Sequence, residues 1–330
     1  MNVIVTGGSG FLGRYVVSEL IARGHHVIVL SRRTPEVPDT DDVEYIACDV
    51  ASGKLPLERL RNCDVIVNLM GIKRSSGTQT FEQVHVDGVK YLIEAARQLG
   101  LRRFVHISVV AARPDDRHAY HDTKWRAEEL LRGSGLDFTI LRPGVIYGRG
   151  DDMITHLVKM IRLTPLFPVV GRGDSVLQPV SGEEVARVVA AALERDVSIR
   201  KSYDVVGPQP MMLRDVVRTV AGGTGLNVWI LPTPVWFQRV SVWGMNVLFR
   251  NPLSTPAQLQ MLIDGLAGNP EAVKSQLGVE TQMFEAATVA EVQGSIPSLF
   301  GLTLRFIRGS GYSPHTGGRE TIAEAGTHQK

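Results

Sequence analysis

Cysteine is almost absent. Only Cys48 and Cys63 occur in 330 residues. Their spacing matches neither a zinc site nor a Cys-x-x-Cys redox pair, which argues against a disulfide framework and predicts two packed thiols in a reducing compartment. A surplus of one charge sign is missing too. The chain mixes 36 basic with 34 acidic residues for a formal net charge of +2, and so offers no sustained field for holding a nucleic-acid backbone. Nucleic acid is not an expected partner. No uninterrupted apolar run reaches the about 20 residues of a spanning helix. The most apolar stretch, residues 226–249, is broken by Pro232, Pro234 and Arg239, so no transmembrane segment is predicted. The opening Met1-Asn2-Val3-Ile4-Val5 lacks a basic region, apolar core and cleavage site, which predicts a cytoplasmic location.

What is present is a large apolar fraction, 44%, enough for a substantial core and a second, smaller lobe. Short β-branched runs at 3–5, 27–30, 65–69, 104–107 and 138–141 alternate with amphipathic segments such as 81–99. That alternation predicts an α/β fold, a Rossmann-type doubly wound parallel sheet covered by helices on both faces. Tyr203-Asp204-Val205-Val206 reads as an edge strand arriving after a helix over 182–194. The expected organisation is a nucleotide-binding domain over 1–206, with 150–176 contributing to the substrate lobe. A mostly helical C-terminal lobe follows over 207–308. Within it, Thr255-Pro256-Ala257-Gln258 reads as a cap, a first-turn proline and a capping-box glutamine. Residues 309–330, rich in Gly, Ser, Thr and His, have too little apolar surface to offset their ordering entropy and read as a disordered tail.

The strongest motif follows the first strand. In Thr6-Gly7-Gly8-Ser9-Gly10-Phe11-Leu12-Gly13, Gly7 permits a tight turn, Gly10 lets backbone approach a pyrophosphate, and Gly13 allows a helix to pack closely on a strand. The phosphates would rest on the helix N-terminus, where free N–H groups favour negative charge. The second strand ends in Ser31-Arg32-Arg33, where a fold selecting NAD(H) usually carries a carboxylate for the ribose hydroxyl. Serine and arginine would instead receive a 2′-phosphate, so NADP(H) is the expected cofactor, with NAD(H) the alternative. Arg33 reads equally well as a solvated strand end.

In its ordered motifs the chain resembles the extended, two-domain short-chain dehydrogenase/reductase family. Besides the glycine turn, these are Asp49-Val50, Asn68-Leu69-Met70-Gly71, Tyr120-x-x-x-Lys124 and Leu141-Arg142-Pro143-Gly144-Val145-Ile146-Tyr147-Gly148. The resemblance implies that Asp49 and Val50 flank the adenine, that Leu69, Met70 and Gly71 lie along the cofactor, and that Pro143, Gly144, Val145 and Ile146 back the nicotinamide. His85-Val86-x-Gly88, Gln178-Pro179-Val180 and Asn251-Pro252-Leu253-Ser254 are similar to the atypical branch that holds the nucleotide-binding accessory subunit of respiratory complex I and its free-standing bacterial relatives. That kinship implies a membrane-associated redox complex as a partner.

Tyr120 and Lys124, four apart, share one face of a helix. A nearby ammonium would favour the phenolate and bring proton exchange with a carbonyl or alcohol nearer to neutral pH. By resemblance, Lys124 also holds the nicotinamide ribose and a serine after the fifth strand bonds the substrate oxygen. Either Ser108 or, one residue on, Val109 occupies that position. His85 stands where the family commonly has asparagine, and reads as a proton relay or as a packed, hydrogen-bonded residue. His118 and His121 bracket Tyr120 without further ligands at metal spacing, so no metal is expected.

Trp229, Trp236 and Trp243 recur with Phe237, Val240, Val242, Met245, Leu248 and Phe249. This spacing reads first as core and second as the wall of a pocket for a quinone- or lipid-like ligand. Residues 299–308 mix apolar side chains with Arg305 and Arg308, and would rest on the inner face of an anionic membrane or dock on the protein itself. Two functions follow. One is an NADP(H)-linked oxidoreductase or epimerase of a small carbonyl or alcohol substrate; the other is a binding module in which NADPH stabilises a fold that contacts a membrane complex.

Overall fold

The structure is a computed structural model and describes residues 1–32, 40–75, 77, 79–115, 118–151, 153–248 and 256–293, with the side chains of 245–248, 256–258, 291 and 293 outside the description. The chain begins β1 (Asn2–Thr6), α1 (Phe11–Ala22), β2 (His26–Ser31), β3 (Val43–Ala47), β4 (Val65–Asn68), α2 (Gly88–Leu99), β5 (Arg103–Ile107), α3 (Ala119–Arg132) and β6 (Asp137–Pro143). It continues through β7 (Ile146–Tyr147), α4 (Met153–Leu163), β8 (Leu166–Val170), β9 (Val176–Leu177), β10 (Val180–Ser181), α5 (Gly182–Glu194) and β11 (Lys201–Val205). The remaining elements are β12 (Met211–Met212), α6 (Leu213–Thr224), β13 (Trp229–Thr233), α7 (Val235–Leu248), α8 (Pro256–Asp264) and α9 (Ala286–Gln293).

Seven strands form one parallel sheet in the order β11-β6-β5-β4-β1-β2-β3, with the 203–206 run at the edge where its sequence puts it. Side chains of a strand alternate faces, and here both faces are apolar. Val3, Val5, Val27, Val29, Val65, Val67, Val105 and Leu141 pack with α1 and α5. Ile4, Ile28, Ile66, Phe104 and Ile140 pack with α2 and α3 on the other side. A sheet covered on both sides must use crossover helices, which is why the runs are continuous in apolar character and why the helices between them are amphipathic. Cys48 and Cys63 lie inside the second core, and burial pushes the Cys63 thiol up to about 11.

Two details depart from a plain helical reading. The segment 81–99 is one continuous helical stretch, but its first part, Glu82–Asp87, winds as a π-helix before α2; single wide turns of this kind are frequent at functional sites. Among its described side chains the aromatic stretch is not core; those of Met245, Leu248 and Phe249 lie outside the description. Trp229, Leu231, Trp236, Phe237, Val240 and Trp243 are all exposed, and of the apolar side chains from Trp236 to Trp243 only Val242 is buried. The reason is geometric: α7 turns Val235 and Val242 toward Val170, Leu259 and Ile263, and that narrow stripe is all the small β8–β13 layer can cover. In α8 the helix begins at Pro256 as its sequence implies; Thr255 lies outside the described residues.

Candidate active site

The glycine turn, Asp49-Val50, Asn68-Leu69-Met70-Gly71, Tyr120 with Lys124, and the segment after Pro143 lie toward the carboxyl ends of the parallel strands, the side of a doubly wound sheet where ligands bind, while Asn251-Pro252-Leu253-Ser254 lies outside the described residues. At β1, Gly7 turns with φ +73, and a side chain there would press on the Leu69 carbonyl. A Cβ on Gly13 would lie 2.3 Å from the Gly7 oxygen, so α1 can start against the turn only with glycine at that position. Gly10 caps α1 without a side-chain hydrogen bond, and the first turn, which holds Phe11 and Leu12, has no acidic residue. Gly8 and Ser9 complete the loop. Its backbone N–H groups are thus not neutralised by the protein's own carboxylates, which fits a bound pyrophosphate. Ser31 is buried at the end of β2 and Arg32 beside it is exposed; Arg33 lies outside the described residues. Asp49, exposed, caps the 3-10 turn Val50–Ser52 by accepting from Ala51 N at 3.2 Å, with Val50 buried behind it.

Beyond β4 the chain is fixed by Asn68, a buried residue that opens the Asn68-Leu69-Met70-Gly71 motif and to which the sequence reading gave no role of its own. Its Oδ1 accepts from Thr6 Oγ1 at 2.7 Å and from Met70 N at 3.1 Å, while its Nδ2 donates to His106 Nδ1 at 3.1 Å. This ties the ends of β1, β4 and β5 together, and assigns the His106 proton to Nε2, which finds no partner among the described residues. An asparagine closing a β-branched strand and a histidine inside one were the available signals. Pro143 ends β6, and Gly144, Val145 and Ile146 follow, with Gly144 N donating to Val205 O at 3.1 Å. A Cβ on Gly144 would lie 2.8 Å from the Gln178 carbonyl oxygen. Buried Gln178 in turn donates to Gly207 O at 2.9 Å and accepts from Gly268 N at 2.8 Å, which accounts for the Gln178-Pro179-Val180 motif as a latch on the later chain.

Lys124 is the centre of the site. It is buried, and its Nζ donates to the carbonyls of Met70 at 3.3 Å and Ile107 at 3.2 Å. Loss of hydration lowers it to about 8, against the raising influence of Glu128. A Cβ on Gly71 would lie 3.3 Å from that nitrogen and 3.9 Å from His85 Nε2, so Gly71 keeps the space over the ammonium open. Tyr120 lies one turn earlier on α3, its ring edge-on to His85, Phe81 and His121 at centroid distances of 5.6, 5.7 and 5.8 Å. Loss of hydration pushes its hydroxyl up to about 12. The expected lowering by Lys124 is not what the protein alone provides: the ammonium is spent on two carbonyls, and desolvation dominates the phenol.

His85 is buried and hydrogen-bonded at both ring nitrogens. Its Nε2 accepts from Ile72 N at 3.2 Å, so its proton sits on Nδ1 and is donated to Thr123 Oγ1 at 3.0 Å, which itself donates to Ala119 O at 2.6 Å. Burial, then the neighbouring Lys124, holds it neutral, well below the usual imidazole range. Ser108 is likewise committed: its hydroxyl donates to Glu128 Oε1 at 2.5 Å. Fully buried Glu128 also accepts from Arg142 Nε at 2.9 Å and from Arg132 at 2.8 Å. Val109, the alternative, is buried too. Sequence spacing did not reveal this carboxylate cluster, nor the one beside Tyr120. There, buried His121 lies 3.7 Å from Asp115 and 3.6 Å from Asp264 of α8, and Arg113 donates to Asp264 at 2.7 Å. Among the described residues no group of three His, Cys, Asp or Glu side chains is arranged to hold a metal.

A seven-stranded parallel sheet with a glycine turn at the head of its first helix defines a dinucleotide-binding fold. The chain belongs to the NAD dependent epimerase/dehydratase family, whose model matches residues 3–206. It is 32% identical over 193 residues to a protein named ceramide reductase from Caulobacter vibrioides, a match covering 57% of this chain and 60% of that one. It is 27% identical to NADH dehydrogenase [ubiquinone] 1 alpha subcomplex subunit 9 of Rattus norvegicus mitochondria, covering 70% and 63%. The matches thus span about three-fifths of the length of these relatives. Among solved structures, a UDP-glucose 4-epimerase of Thermus thermophilus in complex with NAD superposes with a TM-score of 0.68 at 20% identity, over 90% of this chain and 99% of that one. The expected family and fold are therefore borne out, and a complex I subunit of the kind that the accessory-subunit resemblance points to is among the relatives. No helix among the described residues is long and apolar enough to cross a membrane.

Proposed function

We propose that the protein binds NADPH in preference to NADH and catalyses hydride exchange with a carbonyl or alcohol carbon of a hydrophobic, lipid- or quinone-related substrate. The nicotinamide, when bound, supplies the hydride. The observation that carries this reading is the buried Lys124 ammonium one helical turn from Tyr120, at the ends of β4 and β5 and beneath the opening over Gly71. Gly7, Gly8, Ser9, Gly10 and Gly13 would hold the pyrophosphate, Ser31 and Arg32 the 2′-phosphate, Asp49 and Val50 the adenosine, and Lys124 the nicotinamide ribose. Lys124, in holding the ribose, would keep positive charge near Tyr120, whose hydroxyl would exchange the substrate proton. An epimerisable substrate would use the same two groups. The 32% identity to a ceramide reductase supports a long-chain substrate.

A second reading has its own support. With Ser108 bound to Glu128, neither Ser108 nor Val109 offers a free hydroxyl to a substrate oxygen. That site, with its similarity to a complex I subunit, suits a protein in which NADPH is a structural ligand and a membrane redox complex the partner. In either case association with the inner face of a membrane would be peripheral. Titration of both nucleotides against wild type and Arg32→Ala tests the cofactor. NADPH is expected to bind about ten-fold or more tightly than NADH, and the variant to lose that margin, the worth of one charge-assisted hydrogen bond. Equal wild-type affinities would overturn it.

A further inference from the structure

The chain has four tryptophans, and three are exposed on one small part of it: Trp229 by 70%, Trp236 by 66% and Trp243 by 67%. Large aromatic side chains are normally among the better buried. Here the exposure is systematic. On α7, Trp236, Val240 and Trp243 follow the i, i+4, i+7 spacing of one helical face, turned away from the stripe of Val235 and Val242 that packs inward. On the adjoining parallel pair, Trp229 pairs with Leu166 and Leu231 with Pro168, while Phe167 and Val169 take the inner face. Leu163, at the end of α4, is 71% exposed where the chain enters β8. The outward side of this layer is thus apolar where a solvated sheet would be polar.

Its charge is equally one-sided. No Asp or Glu occurs from residue 153 to 173 or from 216 to 263. Of the acids that bound these stretches, Asp152 lies outside the described residues and the other three are each held by an arginine: Asp174 by Arg214, Asp215 by Arg218, and Asp264 by Arg113. By contrast, among the described residues Lys159, Arg162, Arg172 and Arg239 enter no ion pair. Arg162 precedes exposed Leu163, Arg172 follows β8, and exposed Arg239 lies on α7 at the edge of the aromatic face, where it donates to Gln260 Oε1 of α8 at 3.3 Å. Tryptophan rings favour the headgroup level of a bilayer, and basic side chains beside them are drawn to anionic lipid.

We infer that the face formed by Trp229, Leu231, Trp236, Val240 and Trp243, with Arg162, Arg172 and Arg239 beside it, docks on the surface of an anionic phospholipid bilayer. This deepens the peripheral placement proposed above and does not depend on hydride transfer. It moves the membrane contact from residues 299–308, where the sequence alone points and which lie outside the described residues, to the β8–β13–α7 surface. The rings would lie at the headgroup level while the site at the strand ends remains on the aqueous side of the interface.

The test uses the full chain with phosphatidylcholine vesicles, with and without phosphatidylglycerol, read by co-sedimentation and by quenching of tryptophan fluorescence with bromine-labelled acyl chains. Wild type is expected to bind the phosphatidylglycerol vesicles and to be quenched, with binding weakened at high salt. W229S/W236S/W243S is expected to bind at least about ten-fold more weakly, with its melting curve and NADPH affinity unchanged. R162Q/R172Q/R239Q should lose the preference for phosphatidylglycerol, and serves if the tryptophan variant fails to fold. Undiminished binding by the folded tryptophan variant, or by wild type without quenching, would overturn the surface while leaving peripheral association through another segment standing. Failure of wild type to bind any vesicle would overturn both. A dimer that forms without lipid and is lost in the tryptophan variant, with no vesicle binding, would overturn the inference in favour of a second copy of the chain.

Discussion

The parallel sheet and the β8–β13–α7 layer use the same kinds of apolar residue to opposite ends. In the sheet, both faces of every central strand are covered, so Val3, Ile4, Val65, Ile66 and their neighbours are almost wholly removed from water. In the small layer only one face is covered, and the largest apolar side chains point out. The difference teaches that hydrophobicity at a regular spacing says which residues share a face, while the direction of that face depends on what the rest of the chain brings to cover it.

The largest contrast is expected from Glu128. Glu128→Gln keeps the shape but removes the charge that Ser108, Arg132 and Arg142 surround. Leaving Arg142 without a counter-charge should cost about 3 kcal/mol, the lower end for a broken buried pair because the arginines still reach water. Chemical denaturation should record it as a fall in midpoint, and a change no larger than that of a surface substitution would remove Glu128 from the support of α3.

A smaller, pH-dependent effect belongs to Lys124. Its folded pKa, about 8, lies below its ordinary 10.5, so burial of the charge opposes folding below about pH 8. As pH rises from 8 toward 10.5 the unfolded chain holds the extra proton and wild type gains stability. Lys124→Met, lacking that group, should lose its stability advantage over nucleotide-free wild type across this window. Parallel denaturation curves for the two proteins would refute the lowered pKa.

The smallest effect is expected on the outer layer. Trp236→Ser and Trp243→Ser should change folding stability by no more than about 0.5 kcal/mol in the absence of lipid, as exposed substitutions do. A cost of several kcal/mol in thermal melts would mean that these rings are covered after all, and the contrast between the two regions would disappear.

Much of the sheet could be read in advance because its signal is local. A β-branched run flanked by helical spacing needs no partner to be recognised, and α5 occupies the residues, Gly182–Glu194, that its pattern indicates. The glycine turn is local in the same way. Contacts between distant segments were not legible. Ser108 meets Glu128 across 20 residues of sequence, and Arg113 meets Asp264 across 151. Motif order put Tyr120 and Lys124 on one face of α3, but only the meeting of α3 with the ends of β4 and β5 reveals that Lys124 donates to Met70 and Ile107 rather than to the phenol. The outward turn of Trp229 and Trp243 depends on how little of the described protein lies over them, which no spacing records.

The measurement that bears most directly on the proposed chemistry pairs two variants on α3. Hydride transfer from 4-deuterated NADPH to a panel of long-chain ketones, quinones and nucleotide sugars is followed for wild type, Tyr120→Phe and Lys124→Met, alongside NADPH affinity. Tyr120→Phe retains the ring that packs on His85 and Phe81, so affinity should stay near wild type while turnover falls by about a hundred-fold or more, as expected for loss of a general acid. Lys124→Met should weaken both nucleotide binding and turnover. Wild-type turnover that survives Tyr120→Phe unchanged would contradict the account.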